Sequence, residues 1–105
     1  MFDQPLTAAE FCSVAGKLVS GDRAESYGDA EQNHANIAAL WNAYLQCIRH
    51  RVDAGLTPRD VALMMVLLKI ARTTFGKMTV DTYIDICGYG GITGELALRE
   101  AKNAG

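Results

Sequence analysis

The chain reads as all-α: a four-helix, bundle-like domain in which the third and fourth helices form an antiparallel hairpin. Three observations predict this. Apolar residues recur at three- and four-residue spacing in four separate stretches. No run of alternating β-branched residues competes with that period. Only two prolines occur, Pro5 and Pro58, and each stands near a threonine where a helix can begin. Half of the 105 residues are hydrophobic and 21% are charged. That balance supports a core and disfavours disorder, and the length suits one domain, 1–105, with its core over roughly 7–102.

The first helix is predicted from Thr7. Thr7 and Glu10 have the spacing of a capping box, in which the hydroxyl and the carboxylate each accept a backbone N–H. Phe11, Val14, Ala15, Leu18 and Val19 then repeat along one face, and Gly21 is a stop that tolerates positive φ. Residues 21–29, Gly-Asp-Arg-Ala-Glu-Ser-Tyr-Gly-Asp, form a polar link. Asp29 or a neighbour caps the second helix, whose apolar positions are Ile37, Ala38, Leu40, Trp41, Tyr44, Leu45 and Ile48. It ends in a solvated basic turn, Arg49-His50-Arg51, where cations complement the helix dipole. The third helix has the plainest start: Thr57 as N-cap, Pro58 at N1 and Asp60 at N3. Almost every residue of 61–71 is apolar, so burial on most sides is expected, with Gly76 as the stop. The fourth helix starts near Thr79. Gly88, Gly90, Gly91 and Gly94 each cost about 1 kcal/mol inside a helix. Either the helix breaks there or another backbone approaches closely, and the second is preferred because 95–102 resumes a helical composition. The closing Asn103-Ala104-Gly105 is expected to fray.

Several function classes are disfavoured. A net charge of −2 does not suit a nucleic-acid binder that works by phosphate neutralisation. The longest apolar run, residues 61–68, falls short of the roughly 20 that a membrane span needs. The opening residues lack a basic segment followed by an apolar one, so no secretory signal is expected and the chain is placed in the cytoplasm. Cys12, Cys47 and Cys87 are odd in number and lack a Cys-x-x-Cys, which suggests reduced, largely buried thiols.

The charges on the apolar hairpin are the main site candidates. With the turn centred near residue 77, Lys69 falls opposite Asp85 and Arg72 opposite Asp81, with Tyr89 one turn further along. Members of each row are three or four residues apart and share a face. They can serve as two interhelical ion pairs that fix register, since charges in an apolar seam need partners. They can equally form a ligand site. Asp81 and Asp85 can reach one Mg²⁺, while Lys69 and Arg72 hold the phosphates of a nucleotide. In the polar link, Tyr27 can stack a base and Arg23 hold a phosphate; Asp22, Gly28, Asp29 and Asn33 complete that cluster, which a turn also explains. Trp41 and the Met64-Met65 pair read as core, His34 and His50 as surface residues, and Asp60 as a cap. No P-loop, Gly-x-Gly-x-x-Gly, His-Glu-x-x-His or nucleophile triad is present.

Several blocks together resemble a phage domain of unknown function, DUF6378. They are residues 21–29, Asn33, Ile37-Ala38-Ala39-Leu40-Trp41, Leu56-Thr57-Pro58-Arg59-Asp60-Val61-Ala62, Lys69-Ile70-Ala71-Arg72 and Asp81-Thr82-Tyr83-Ile84-Asp85-Ile86-Cys87-Gly88-Tyr89. The likeness covers roughly 7–98. More distantly the pattern is similar to phage nucleotide-modification-associated domains and to MazG-type all-α nucleoside triphosphate pyrophosphatases. The MazG-type resemblance implies a helical homo-oligomer that binds magnesium through acidic residues and hydrolyses nucleotides. This sequence lacks that group's Glu-Glu-x-x-Glu and Glu-x-x-Asp, so Glu31 or Asp60 would have to supply a further ligand or base.

Three functions follow as expectations. One is a Mg²⁺-dependent nucleotide pyrophosphohydrolase, with no catalytic residue assigned. Another is a non-catalytic nucleotide-binding module using Lys69, Arg72, Arg23, Tyr27 and Tyr89. The last is a phage inhibitor that binds a host protein to counter defence, acting in the host cytoplasm. A homo-oligomer is expected, with residues 88–94 as the place where a second chain packs closely.

Overall fold

The computed structural model describes residues 6–21 and 30–104. Four α-helices are found among them, with no strand: α1 Ala8–Ser20, α2 Ala30–Cys47, α3 Pro58–Arg72 and α4 Val80–Ala104. A 3₁₀ segment, Arg49–Ala54, links α2 to α3.

Local chemistry sets most of these boundaries. Glu10 N donates to Thr7 Oγ1 and Thr7 N to Glu10 Oε1, each at 3.2 Å, which completes the capping box of α1. A second box starts α3, between Thr57 and Asp60, with Pro58 in its first turn. The chain reverses at Gly55 (φ +85) and Gly76 (φ +83), two left-handed positions that favour glycine. Gly21 ends α1 at φ −109, so that stop does not use positive φ. The third helix closes at Arg72 rather than at Gly76: Thr73 N donates to Ile70 O at 3.0 Å, and the Thr73 and Thr74 hydroxyls donate to Ile70 O and Ala71 O. The cap proposed at Asp29 lies outside the described residues.

α3 is the middle of a layer of three helices. It packs on α4 along one side and on α2 along the other. Ile37, Ile48, Ala62 and Ala71 form the buried apolar centre, and α4 turns Thr82 and Thr93 inward. The Trp41 indole donates to Met64 O at 2.7 Å and ties α2 to α3. Asn36 Nδ2 donates to Thr74 Oγ1 at 3.2 Å near the end of α3.

Several expectations are corrected. α3 has neighbours on two sides only, so it is half-buried over 63–69 and leaves Val61 and Ile70 exposed. The three cysteines are exposed. Cys12 lies on α1, which has no buried residue at all, and Cys87 lies on the side of α4 away from α3. α4 does not break at its glycines and runs on through Ala104 rather than fraying at 103. Among the described residues no backbone approaches them either: a Cβ added at Gly88, Gly90, Gly91 or Gly94 meets nothing within 4 Å.

Candidate functional site

Two polar centres stand out, and the first is Asp60. Its side chain is fully buried. Arg51 from the 3₁₀ segment approaches it bidentately, Nη2 to Oδ1 at 2.6 Å and Nη1 to Oδ2 at 2.8 Å. The Tyr44 hydroxyl donates to Oδ1 at 2.6 Å, and Thr57 donates its N–H and its hydroxyl to Oδ2 at 2.9 and 3.1 Å. Five donors on one carboxylate hold Asp60 far below the usual carboxylate range, with the Arg51 bonds the largest cause and burial opposing them. The same pairing pushes Arg51 up. Burial, then the Asp60 carboxylate, raises Tyr44. A carboxylate this saturated is closed to a metal or a substrate. It anchors the start of α3 to the end of α2, so the basic turn at 49–51 is not simply solvated. The sequence marked Asp60 as a cap; its pairing with Arg51 was missed, because a salt bridge nine residues long across a 3₁₀ turn leaves no periodic signal.

The second centre lies along the α3–α4 hairpin. Lys69 Nζ meets Asp85 Oδ2 at 2.9 Å, with Lys69 nearly buried and Asp85 partly exposed. At the other end of the hairpin Arg59 Nε meets Glu100 Oε2 at 3.0 Å, a register pair the sequence did not suggest. The proposed partnership of Arg72 with Asp81 does not form among the described residues. Four residues along a helix turn it about 40° past a full turn, and that rotation carries Asp81 away from α3 into solvent. Tyr89 is half-buried, and its carbonyl accepts from the Thr93 hydroxyl at 2.8 Å. Arg23 and Tyr27 lie outside the described residues. Asn33 is buried, and its Oδ1 has no hydrogen-bond partner among the described residues. His34 is exposed, its ring nitrogen 2.6 Å from Ala30 O.

At the turn of the hairpin a cleft of about 120 Å³ opens between Arg72, Gly76, Lys77, Thr79 and Thr82, with Met78 and Tyr83 at its rim. Thr79 and Thr82 are linked through their hydroxyls at 2.6 Å. Met78 and Tyr83 continue from the cleft into an open apolar shelf with Val80, Ile84 and Cys87. The sequence pointed to Arg72 here; Lys77, the two threonines and Tyr83 were missed. The available signal was the Thr-x-x-Thr spacing of 79 and 82, one residue beyond the Gly76-Lys77 turn.

The domain of unknown function DUF6378 matches residues 10–97. The chain belongs to the DUF6378 family. This DUF6378 chain is 43% identical over 88 residues to the Gene 55 protein of Mycobacterium phage L5, an alignment covering 84% of this chain and 53% of the phage protein. It is 34% identical over 77 residues to the Gene 55 protein of Mycobacterium phage D29, covering 73% and 46%. The chain thus spans about half the length of the curated relatives it matches. No solved structure matches it. None of its described helices is long and apolar enough to cross a membrane.

Proposed function

We propose that this DUF6378 chain binds a phosphate-bearing small molecule, a nucleotide, at the α3–α4 turn and does not hydrolyse it. The observation that carries this reading is the cleft itself. Arg72, Lys77, Thr79 and Thr82 line one small space, and a guanidinium, an ammonium and two hydroxyls make a donor set suited to phosphate oxygens. Its volume of about 120 Å³ is below the roughly 300–1,000 Å³ of a site that encloses a whole ligand. It suits a phosphoryl group, with the base outside on the adjoining Met78–Tyr83 edge, where an aromatic face can stack. Arg72 and Lys77 already make other interactions, so a phosphate joins or displaces these.

The MazG-like hydrolase has less support. Among the described residues no three Asp, Glu, His or Cys side chains gather to hold a metal. Asp85 is engaged by Lys69, Asp81 points elsewhere, and Asp60 is saturated. These carboxylates do not fit a protein-held Mg²⁺, so no reaction step is derived through one.

Thermal unfolding against a panel of nucleotides, with and without Mg²⁺, tests the proposal. A ligand at 100 times its Kd adds about 2.7 kcal/mol, a rise of roughly 10 °C or more for a domain of this size. That rise is expected without Mg²⁺ and is expected to vanish in Arg72→Ala/Lys77→Ala. No rise with any nucleotide, or release of pyrophosphate, contradicts it.

A second reading, action through a protein partner, is favoured by α1. Its apolar face is exposed, with Phe11 at 60% and Val19 at 64%, and none of its residues is buried.

A further inference from the structure

The side of α4 that faces away from α3 carries an apolar pattern that this chain does not use. Val80, Ile84, Cys87, Gly91, Gly94, Leu98 and Ala101 are spaced 4, 3, 4, 3, 4 and 3 residues apart. This is the a/d spacing of a heptad seam, sustained over three repeats and roughly 32 Å of helix. Every one of the seven is exposed, with Val80, Ile84 and Leu98 at 64%, 60% and 75%. A helix that only packs on α3 has no need of a second stripe at 3.5-residue period. Gly91 and Gly94 lower helix propensity, yet no atom of the described residues lies within 4 Å of where their Cβ atoms would be. The fold itself therefore does not require glycine at either place, whereas a helix crossing closely there does.

We propose that α4 is the interface of a two-fold symmetric dimer, in which the seam pairs antiparallel with the same seam of a second copy. Heptad geometry then makes three kinds of layer. Ile84 meets the partner subunit's Ala101, Leu98 meets the partner subunit's Cys87, and Gly91 meets the partner subunit's Gly94. Each large side chain faces a small one, and the glycines come together at the crossing on the axis. The charges choose the direction. Asp81 and Lys102 flank the seam at its two ends, and among the described residues neither pairs with a charge. Antiparallel pairing sets each against the other's counterpart twice over, as a two-fold axis demands. Parallel pairing sets Lys102 beside Ala97 and leaves Asp81 without a cation. The surface is also in surplus. The chain exposes 7659 Å², against about 5,800 Å² for a compact chain of this mass. The difference exceeds the roughly 800 Å² that a standard interface takes from each partner. In this arrangement the partner covers Ile84 and Cys87 of the apolar shelf, with Met78 beyond the seam beside the cleft at the α3–α4 turn.

Sedimentation of the full chain over micromolar concentrations is expected to show a dimer. Gly91→Glu/Gly94→Glu sets four like charges at the crossing and is expected to yield a monomer with undiminished far-UV helicity. Orientation is read from Leu98→Cys in a Cys12→Ser/Cys47→Ser background, oxidised with diamide. The expected product is a covalent dimer whose cross-linked peptides join Cys87 to the new cysteine at 98. A monomeric wild type overturns the proposal, as does a dimer that survives the glutamates, which would assign the contact to α1 or another face. Links only between identical positions overturn the antiparallel arrangement. Nucleotide binding is read separately, so loss of the dimer and loss of the cleft are distinguishable.

Discussion

Asp60 shows how much one residue can hold in this molecule. A buried carboxylate is costly unless its lone pairs are filled, and here five donors fill them. Tyr44→Phe removes one bond to a charged acceptor and is expected to lower the unfolding free energy by about 2 kcal/mol in urea titrations. Asp60→Ala strands the Arg51 guanidinium and three further donors, and a loss of about 3–5 kcal/mol is expected, close to the whole stability of a small domain. The pH dependence has a definite sign. Because the folded carboxyl lies well below its unfolded value of about 3.9, its contribution is complete above that value. It declines as the pH falls below it and is gone once the pH has passed the lowered folded value. Asp60→Asn is expected to flatten that acid limb of the stability–pH curve. The cap was legible in the sequence because Thr-Pro-x-Asp is a local signal. The Arg51 partnership was not, since it depends on how the 3₁₀ segment folds back.

The helices show the same division between local and tertiary information. Two capping boxes and the hairpin connection are short-range features, and they place α1, α3 and the Lys69–Asp85 pair where the spacing puts them. Asp81 is where the opposing-row argument gave out, because equal spacing ignores the rotation between successive turns. Lys69 and Asp85 are unequally exposed, so a double-mutant cycle of Lys69→Met with Asp85→Asn is expected to give a coupling of only about 0.5–1 kcal/mol, reduced by salt. The glycines of α4 were legible as an anomaly but not in their meaning, since whether a helix breaks there depends on neighbours. Gly88→Ala meets open space, so it is expected to raise stability by about 1 kcal/mol and the melting temperature by roughly 4–8 °C. For α1 the expectation differs. Phe11→Ser/Leu18→Ser touches no buried residue of α1 and is expected to leave the unfolding of α2–α4 unchanged in calorimetry.

At the scale of the whole molecule, the apolar half of the composition does not all go inward. It forms a thin core around α3, and much of the rest is exposed on α1, on α4 and, with Leu56, Val61, Ile70, Phe75 and Met78, on α3 and its flanking links. Two exposed apolar faces and a cleft lined by Arg72 and Lys77 accompany the absence, among the described residues, of a group of three Asp, Glu, His or Cys side chains that could hold a metal ion. Phosphate binding at the α3–α4 cleft is the proposal with the widest consequences, and a residue-resolved titration tests it most directly. Amide chemical shifts of the labelled full chain, followed during addition of a nucleoside triphosphate without Mg²⁺, are expected to move in a saturable way at 72–83, above all at Arg72, Lys77, Thr79 and Thr82, while those around Asp60 stay still. Spectra unchanged at millimolar nucleotide, or changes confined to other helices, would contradict it.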